Sequence, residues 1–264
     1  MDYREEAKGI HALKGLGQNF LVNKGVAKTE ANFGIGKNVI ELGPGMGILT
    51  EELCRSAKRV LAIEKDTRLY GYLKEKLKQR KNLELRNEDF FDSEIDSAGF
   101  DIMIANIPYN LSSKVIYWLA INAMPAVLCL QKEFVDHLLA RPSERSYSRL
   151  SVITTLEFTV TSVVDVPPQD FYPKPKVASS VVLMRPRKEL LSRAEVSMIS
   201  LIMNHKKKRT ANALMDSSKS LGIPKDKLKA VIAELPDKDV RPFQMEPAKL
   251  LSVARFMIER TSSK

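Results

Sequence analysis

The segment Val39-Ile40-Glu41-Leu42-Gly43-Pro44-Gly45-Met46-Gly47 sets an apolar run directly against three alternating glycines. A short apolar run that stops at glycines reads as a buried strand, and glycine lets the backbone turn tightly and come close to a ligand. A helical pattern follows. Outward from this point the same alternation recurs through residue 140. Val60-Leu61-Ala62-Ile63 ends at Glu64, and Leu83-Glu84-Leu85 precedes Asn87-Glu88-Asp89-Phe90. Asp101-Ile102-Met103-Ile104-Ala105 leads into Asn106, and Ala126-Val127-Leu128-Cys129-Leu130 forms a fifth run. Helix-like stretches, such as Leu69 to Lys81 and Ser113 to Asn122, separate them. Apolar strands alternating with helices imply a parallel α/β sheet covered on both faces.

The pattern then changes. Val152 to Val164 and Val177 to Met184 are rich in Val, Ile and Thr, with a proline-rich connection between them. They read as two adjacent strands, the last pair of a seven-stranded sheet and antiparallel. Pro186-Arg187-Lys188 marks a boundary, after which apolar residues fall at helical spacing. The expected division is a catalytic domain over residues 1–187 and a small α-helical domain over residues 188–264.

Charge follows the same division. The chain carries 42 Lys+Arg against 32 Asp+Glu, a net charge of +10. From Glu189 onward there are 15 basic and 9 acidic residues in 76 positions, so positive density concentrates at the C-terminal end. Such a balance favours a polyanionic partner. No run of about 18 apolar residues is present, so no membrane partner is expected, and the N-terminus has no apolar signal segment. Two isolated cysteines, Cys54 and Cys129, read as free thiols in a reducing, cytoplasmic setting. They and His11, His137 and His205 lack metal-ligand spacing, and no metal is expected.

The glycine segment has the spacing G-x-G-x-G, with Ile48 where the dinucleotide fingerprint G-x-G-x-x-G has its last glycine. Pro44 removes a backbone N–H that would hold a phosphate. Both features point to a nucleoside ligand without phosphates, for which S-adenosylmethionine qualifies. Glu64, ending the second strand, suits the ribose hydroxyls, and Asp89, after the third, suits an adenine amine. Asn106-Ile107-Pro108-Tyr109 ends the fourth strand beside that ligand. Adenine N6 is a poor nucleophile because its lone pair is delocalised into the ring. Acceptors on its hydrogens, the Asn106 side-chain carbonyl and the Ile107 backbone carbonyl, steer that lone pair toward a methyl donor. Pro108 stiffens the loop, and Tyr109 offers a stacking face worth roughly 1–3 kcal/mol. That offsets most of the cost, a few kcal/mol, of extracting a base.

These segments, together with Leu16-Gly17-Gln18-Asn19-Phe20-Leu21, Gln131-Lys132-Glu133 and Phe171-Tyr172-Pro173-Lys174-Pro175-Lys176, resemble the small-subunit rRNA adenine dimethyltransferases over nearly the whole chain. The resemblance implies a Rossmann-like class I fold that uses S-adenosylmethionine. It implies that Asn19 and Leu21 touch the cofactor along with Gly43, Gly45, Glu64, Asp89 and Asn106, and that Phe171 sandwiches the target adenine opposite Tyr109. It further implies two methyl additions on each of two adjacent adenines near the 3′ end of small-subunit rRNA, by a monomer acting on a pre-small-subunit particle. The cluster Lys206, Lys207, Lys208 and Arg209 is the expected RNA contact. Two alternatives share parts of this pattern: a large-subunit rRNA methyltransferase conferring macrolide resistance, and a non-enzymatic RNA- or DNA-binding factor.

Overall fold

The computed structural model describes residues 3–10 and 12–262; His11 lies outside them. The chain divides into two compact units, one of Met1–Lys132 with Val160–Pro186 and one of Glu133–Thr159 with Arg187–Lys264. The segment Glu133–Thr159 thus groups with the helical residues, whereas composition placed it before the boundary at 187.

The first unit is built on a seven-stranded sheet. Its strands are β1 (Asn38–Leu42), β2 (Arg59–Ile63), β3 (Leu83–Arg86), β4 (Ile102–Asn106), β5 (Ala126–Gln131), β6 (Phe158–Val166, all but its first two residues) and β7 (Ser179–Pro186). Their order is β3-β2-β1-β4-β5-β7-β6. The first five run parallel, and β7 lies antiparallel to β5, with Ala126 opposite Met184 and Gln131 opposite Ser179. The last pair is antiparallel, as the Val- and Thr-rich runs predict. Strands β1, β4 and β5 are buried along nearly their whole length, which is why they read as continuous apolar runs. The edge strand β6 is buried only at its ends, and its sequence accordingly carries Thr, Ser and Asp among the valines.

Helices α1 (Tyr3–Lys8), α2 (Lys24–Ala31), α3 (Ile48–Ser56), α4 (Thr67–Lys76) and α5 (Ser112–Ile121) belong to this unit. Asn23 caps α2, its side chain accepting from the Gly25 and Val26 N–H groups, and Asp66 caps α4 in the same way at Arg68. Sequence periodicity does not show one element. Phe20–Leu21 pairs antiparallel with Phe171–Tyr172 in a two-residue ribbon that ties the N-terminal segment to the proline-rich connection.

The second unit contains α6 (Lys132–Leu138, all but its first residue), α7 (Arg149–Glu157), α8 (Arg193–Asn204), α9 (Thr210–Asp216), α10 (Ser218–Leu221), α11 (Lys225–Glu234) and α12 (Pro247–Ser262). Residues 152–157, expected to be strand, are helical. Ser148 and Ser151 form a reciprocal capping box that starts α7, and the helix packs on α8 and α12. Packing of Leu150, Val152 and Ile153 outweighs the modest helix penalty of β-branched side chains.

Candidate active site

The candidate site is a cavity of the first unit at the carboxyl ends of β1 to β4, where ligands of open α/β sheets bind. Four segments form its floor and walls: the glycine loop after β1, Glu64 after β2, Glu88 to Phe90 after β3 and Asn106 to Leu111 after β4. The N-terminal segment Gly15 to Phe20 and Phe171 complete it. Gln18 fastens that segment, donating through Nε2 to Asp66 Oδ2 at 3.0 Å while its Oε1 accepts from Leu13 N–H at 2.8 Å.

Gly43 and Gly45 adopt φ of +67° and +58°, and a Cβ on Gly45 would stand 3.1 Å from Phe20 Cδ1. Both conditions favour glycine and let Phe20 close against the loop. Glu64 is buried, and burial pushes its carboxyl up from the ordinary carboxylate range. Its Oε2 accepts from Gly45 N–H at 3.0 Å and its Oε1 from Asp66 N–H at 2.8 Å, so the carboxylate rigidly joins the ends of β1 and β2. Each of its oxygens retains a second lone pair for a ligand hydroxyl. Asp89 is held on the low side by Lys65, whose ammonium lies 2.6 Å from Oδ2, and by the Phe91 N–H at 3.0 Å from Oδ1. It is therefore a charged acceptor in the cavity wall. Phe90 is buried, edge-on to Trp118 with ring centroids 5.1 Å apart.

Asn106 is the most informative residue. Its Nδ2 donates to Glu30 Oε2 at 3.2 Å, whereas its Oδ1 is buried and has no hydrogen-bond partner among the described residues. Buried carbonyl oxygens are normally paired, so this one is an acceptor open to a partner in the cavity that Asn106 lines. Pro108 follows, and the Tyr109 hydroxyl and Ser179 Oγ are 3.0 Å apart, which fixes the Tyr109 ring.

Of the residues expected at the site, Asn19, Gly43, Gly45, Glu64, Asp89, Asn106, Pro108, Tyr109 and Phe171 all line this one cavity. Leu21 does not. It is buried in the hydrophobic core opposite Phe171 in the ribbon, and its neighbour Phe20 faces the cavity instead. Phe20, Gln18 and Cys129 are cavity residues that the sequence did not single out. No periodicity in the sequence separates Phe20 from Leu21, and Cys129, mid-strand, gave no signal.

The basic cluster lies in the second unit, in the turn between α8 and α9, with Arg209 at the N-cap of α9. Lys206 is partly buried, donates to the Tyr147 carbonyl and sits 5.6 Å from the Phe243 ring centroid. Burial lowers its pKa. Lys208 pairs with Asp216 at 2.6 Å and Arg209 with Asp239 at 3.3 Å, while Lys207 is exposed.

A parallel sheet with its last pair antiparallel, a glycine loop at positive φ after the first strand, and acids at successive strand ends define a class I S-adenosylmethionine-dependent methyltransferase. Solved structures agree. A dimethyladenosine transferase from Plasmodium falciparum superposes with a TM-score of 0.74 at 26% identity, covering 91% of this chain and 97% of that one. The 23S rRNA methyltransferase ErmE gives 0.63 at 25% identity, covering 90% and 99%. The profile of the family "Ribosomal RNA adenine dimethylase" matches residues 11–240, and the chain belongs to that family. A relative from Thermococcus sibiricus, "Probable ribosomal RNA small subunit methyltransferase A", is 34% identical over 250 residues, 92% of this chain and 90% of its own length. The "Ribosomal RNA small subunit methyltransferase A" of Mycoplasma mobile is 42% identical over 174 residues, 64% of this chain and 68% of its own.

Proposed function

We propose that this chain dimethylates adenine N6 in small-subunit rRNA, on the pair of adjacent adenines near the 3′ end, and that the cavity described above is where it does so. The observation that carries the site assignment is the buried, unpartnered Asn106 Oδ1 on the wall of a cavity that also holds Glu64 and Asp89.

The residues fit S-adenosylmethionine. Glycines at positive φ open the loop, Glu64 offers lone pairs to hydroxyls, Asp89 offers a charged acceptor to an amine, and Asn19 borders the same space. Bound there, the cofactor supplies an electrophilic methyl group on a sulfonium. The protein's task is to present the amine. Asn106 Oδ1 accepts one N6 hydrogen and the Ile107 carbonyl accepts the other, which turns the nitrogen lone pair out of conjugation. Tyr109, anchored at Ser179, stacks on the extruded base, and Phe171 covers the opposite face. Once methylated, N6 gives up one proton to solvent while the sulfur leaves as a neutral thioether, and the N6 hydrogen that remains can again be accepted by Asn106 Oδ1 in the second transfer.

We assign catalysis to the sheet unit and RNA-phosphate contacts to the helical one, chiefly Lys207, Lys208 and Arg209, with Lys206 supporting the turn. The protein works as a cytoplasmic monomer on a pre-small-subunit particle.

Asn106→Ala should lower methyl transfer by about 10²-fold or more while leaving RNA and cofactor binding largely intact. Radiolabelled methyl transfer into undermodified small subunits, read beside filter binding, checks this. Full activity in that variant would remove the acceptor role. Presenting small and large subunits in parallel tests the substrate; label confined to the large subunit would favour the ErmE-like reading.

A further inference from the structure

Helix α2 buries its inner face through Val26, Ala27 and Ala31, and Glu30 stands among them with no exposed surface. A wholly buried carboxyl costs stability unless every polar atom is paired. Glu30 Oε2 receives the Asn106 Nδ2, but Oε1 has no partner among the described residues. An aliphatic side chain would suit this helix face better. Glu30 is absent from the cavity wall, so it reaches any ligand only through Asn106.

The Asn106 amide has two nearly isosteric orientations that exchange Oδ1 for Nδ2. Only one leaves an acceptor free for an amine. Glu30 Oε2, whether the carboxyl is ionised or holds its proton on Oε1, accepts and does not donate, so it matches Nδ2 and repels Oδ1. We infer that Glu30 is a positioning residue, whose carboxyl fixes the Asn106 amide with Nδ2 turned to helix α2 and Oδ1 free for the substrate amine. This rests on the acceptor role proposed for Asn106. It adds that the role depends on a residue 76 positions away in sequence, on a helix that carries no other part of the site.

The test compares Glu30→Leu, Glu30→Gln and Asn106→Ala in the full-length protein. Glu30→Leu should fold, with a raised thermal midpoint because the buried carboxyl is gone. Its kcat for methyl transfer should fall about tenfold, with KM for RNA and for S-adenosylmethionine unchanged. Glu30→Gln keeps a carbonyl that accepts from Nδ2, and it should restore most of kcat. A second readout is independent of turnover. The Asn106 side-chain amide resonances, assigned by their loss in Asn106→Ala, should shift in Glu30→Leu and stay near their native positions in Glu30→Gln. Wild-type kcat in Glu30→Leu, a loss confined to KM, equal impairment of both Glu30 variants, or unmoved amide resonances would each overturn the inference. Full activity in Asn106→Ala would instead remove the acceptor reading beneath it, so the two failures are distinct.

Discussion

At the scale of single residues, the cavity depends on backbone conformations that few side chains tolerate. Gly45 illustrates this: φ is +58°, and an added methyl group would meet Phe20 at 3.1 Å. The left-handed conformation alone costs about 1–2 kcal/mol for a residue with a Cβ. Displacing Phe20 would also loosen the cover of the site. Gly45→Ala should therefore weaken S-adenosylmethionine binding about tenfold, measured by titration calorimetry, with the fold intact by circular dichroism. Unaltered affinity would show that the loop does not shape the cofactor site. Residues of this kind were legible in the sequence because each ends an apolar run: Gly43 after β1, Glu64 after β2, Asp89 after β3 and Asn106 at the end of β4. Leu21 was misplaced because a two-residue strand has no periodicity from which to read its phase. Glu30 was invisible for a different reason. One acid on a short amphipathic helix looks like a solvated side chain until the helix is seen to bury it.

At the scale of elements, strands were easier to read than helices. The buried parallel strands announce themselves by their apolar runs, whereas α7 is built from the residues Leu-Ser-Val-Ile-Thr-Thr-Leu, whose β-branched content argues for a strand. Only its cap and its packing on α8 and α12 make it helical. The basic cluster between α8 and α9 shows a related gap between composition and role. Four consecutive cations suggest four phosphate contacts, but Lys206 is turned inward onto the Tyr147 carbonyl. Neutralising Lys207, Lys208 and Arg209 together should weaken RNA binding and flatten its salt dependence. The log–log slope should fall by roughly 0.7–0.9 for each phosphate that is no longer neutralised. Lys206→Gln should act mainly on stability, lowering the melting temperature of the protein with a smaller change in slope. Salt titrations of RNA affinity separate the two. An unchanged slope in the triple variant would mean that this turn is a solvated surface.

At the scale of the whole molecule, helix α2 and strand β1 each carry a buried acid, Glu30 and Glu41. Burial raises Glu30 and Glu41 from 4.5 to about 8, and Glu41 also feels the charges of Glu30 and Glu64. Below 4.5 both the folded and unfolded chains hold these protons, so the groups make no pH-dependent demand. Between that value and about 8 the unfolded chain releases protons that the folded chain retains, and folding stability falls as pH rises. Above about 8 both states are ionised and the loss levels off. Asp66 works in the other direction, held down to about 2 chiefly by Arg68, so its contribution is lost only in acid and does not interfere in the neutral range. Glu41→Gln removes one of the two raised groups while keeping its shape. Relative to the wild type, this variant should gain stability progressively from pH 5 to pH 8, by on the order of 2–4 kcal/mol across the window. Urea unfolding at closely spaced pH values measures the difference directly and cancels the titrations common to both proteins. A difference independent of pH would show that Glu41 is ionised in the folded chain, and the acidic layer beneath the site would then need a counter-charge that the buried sheet does not supply.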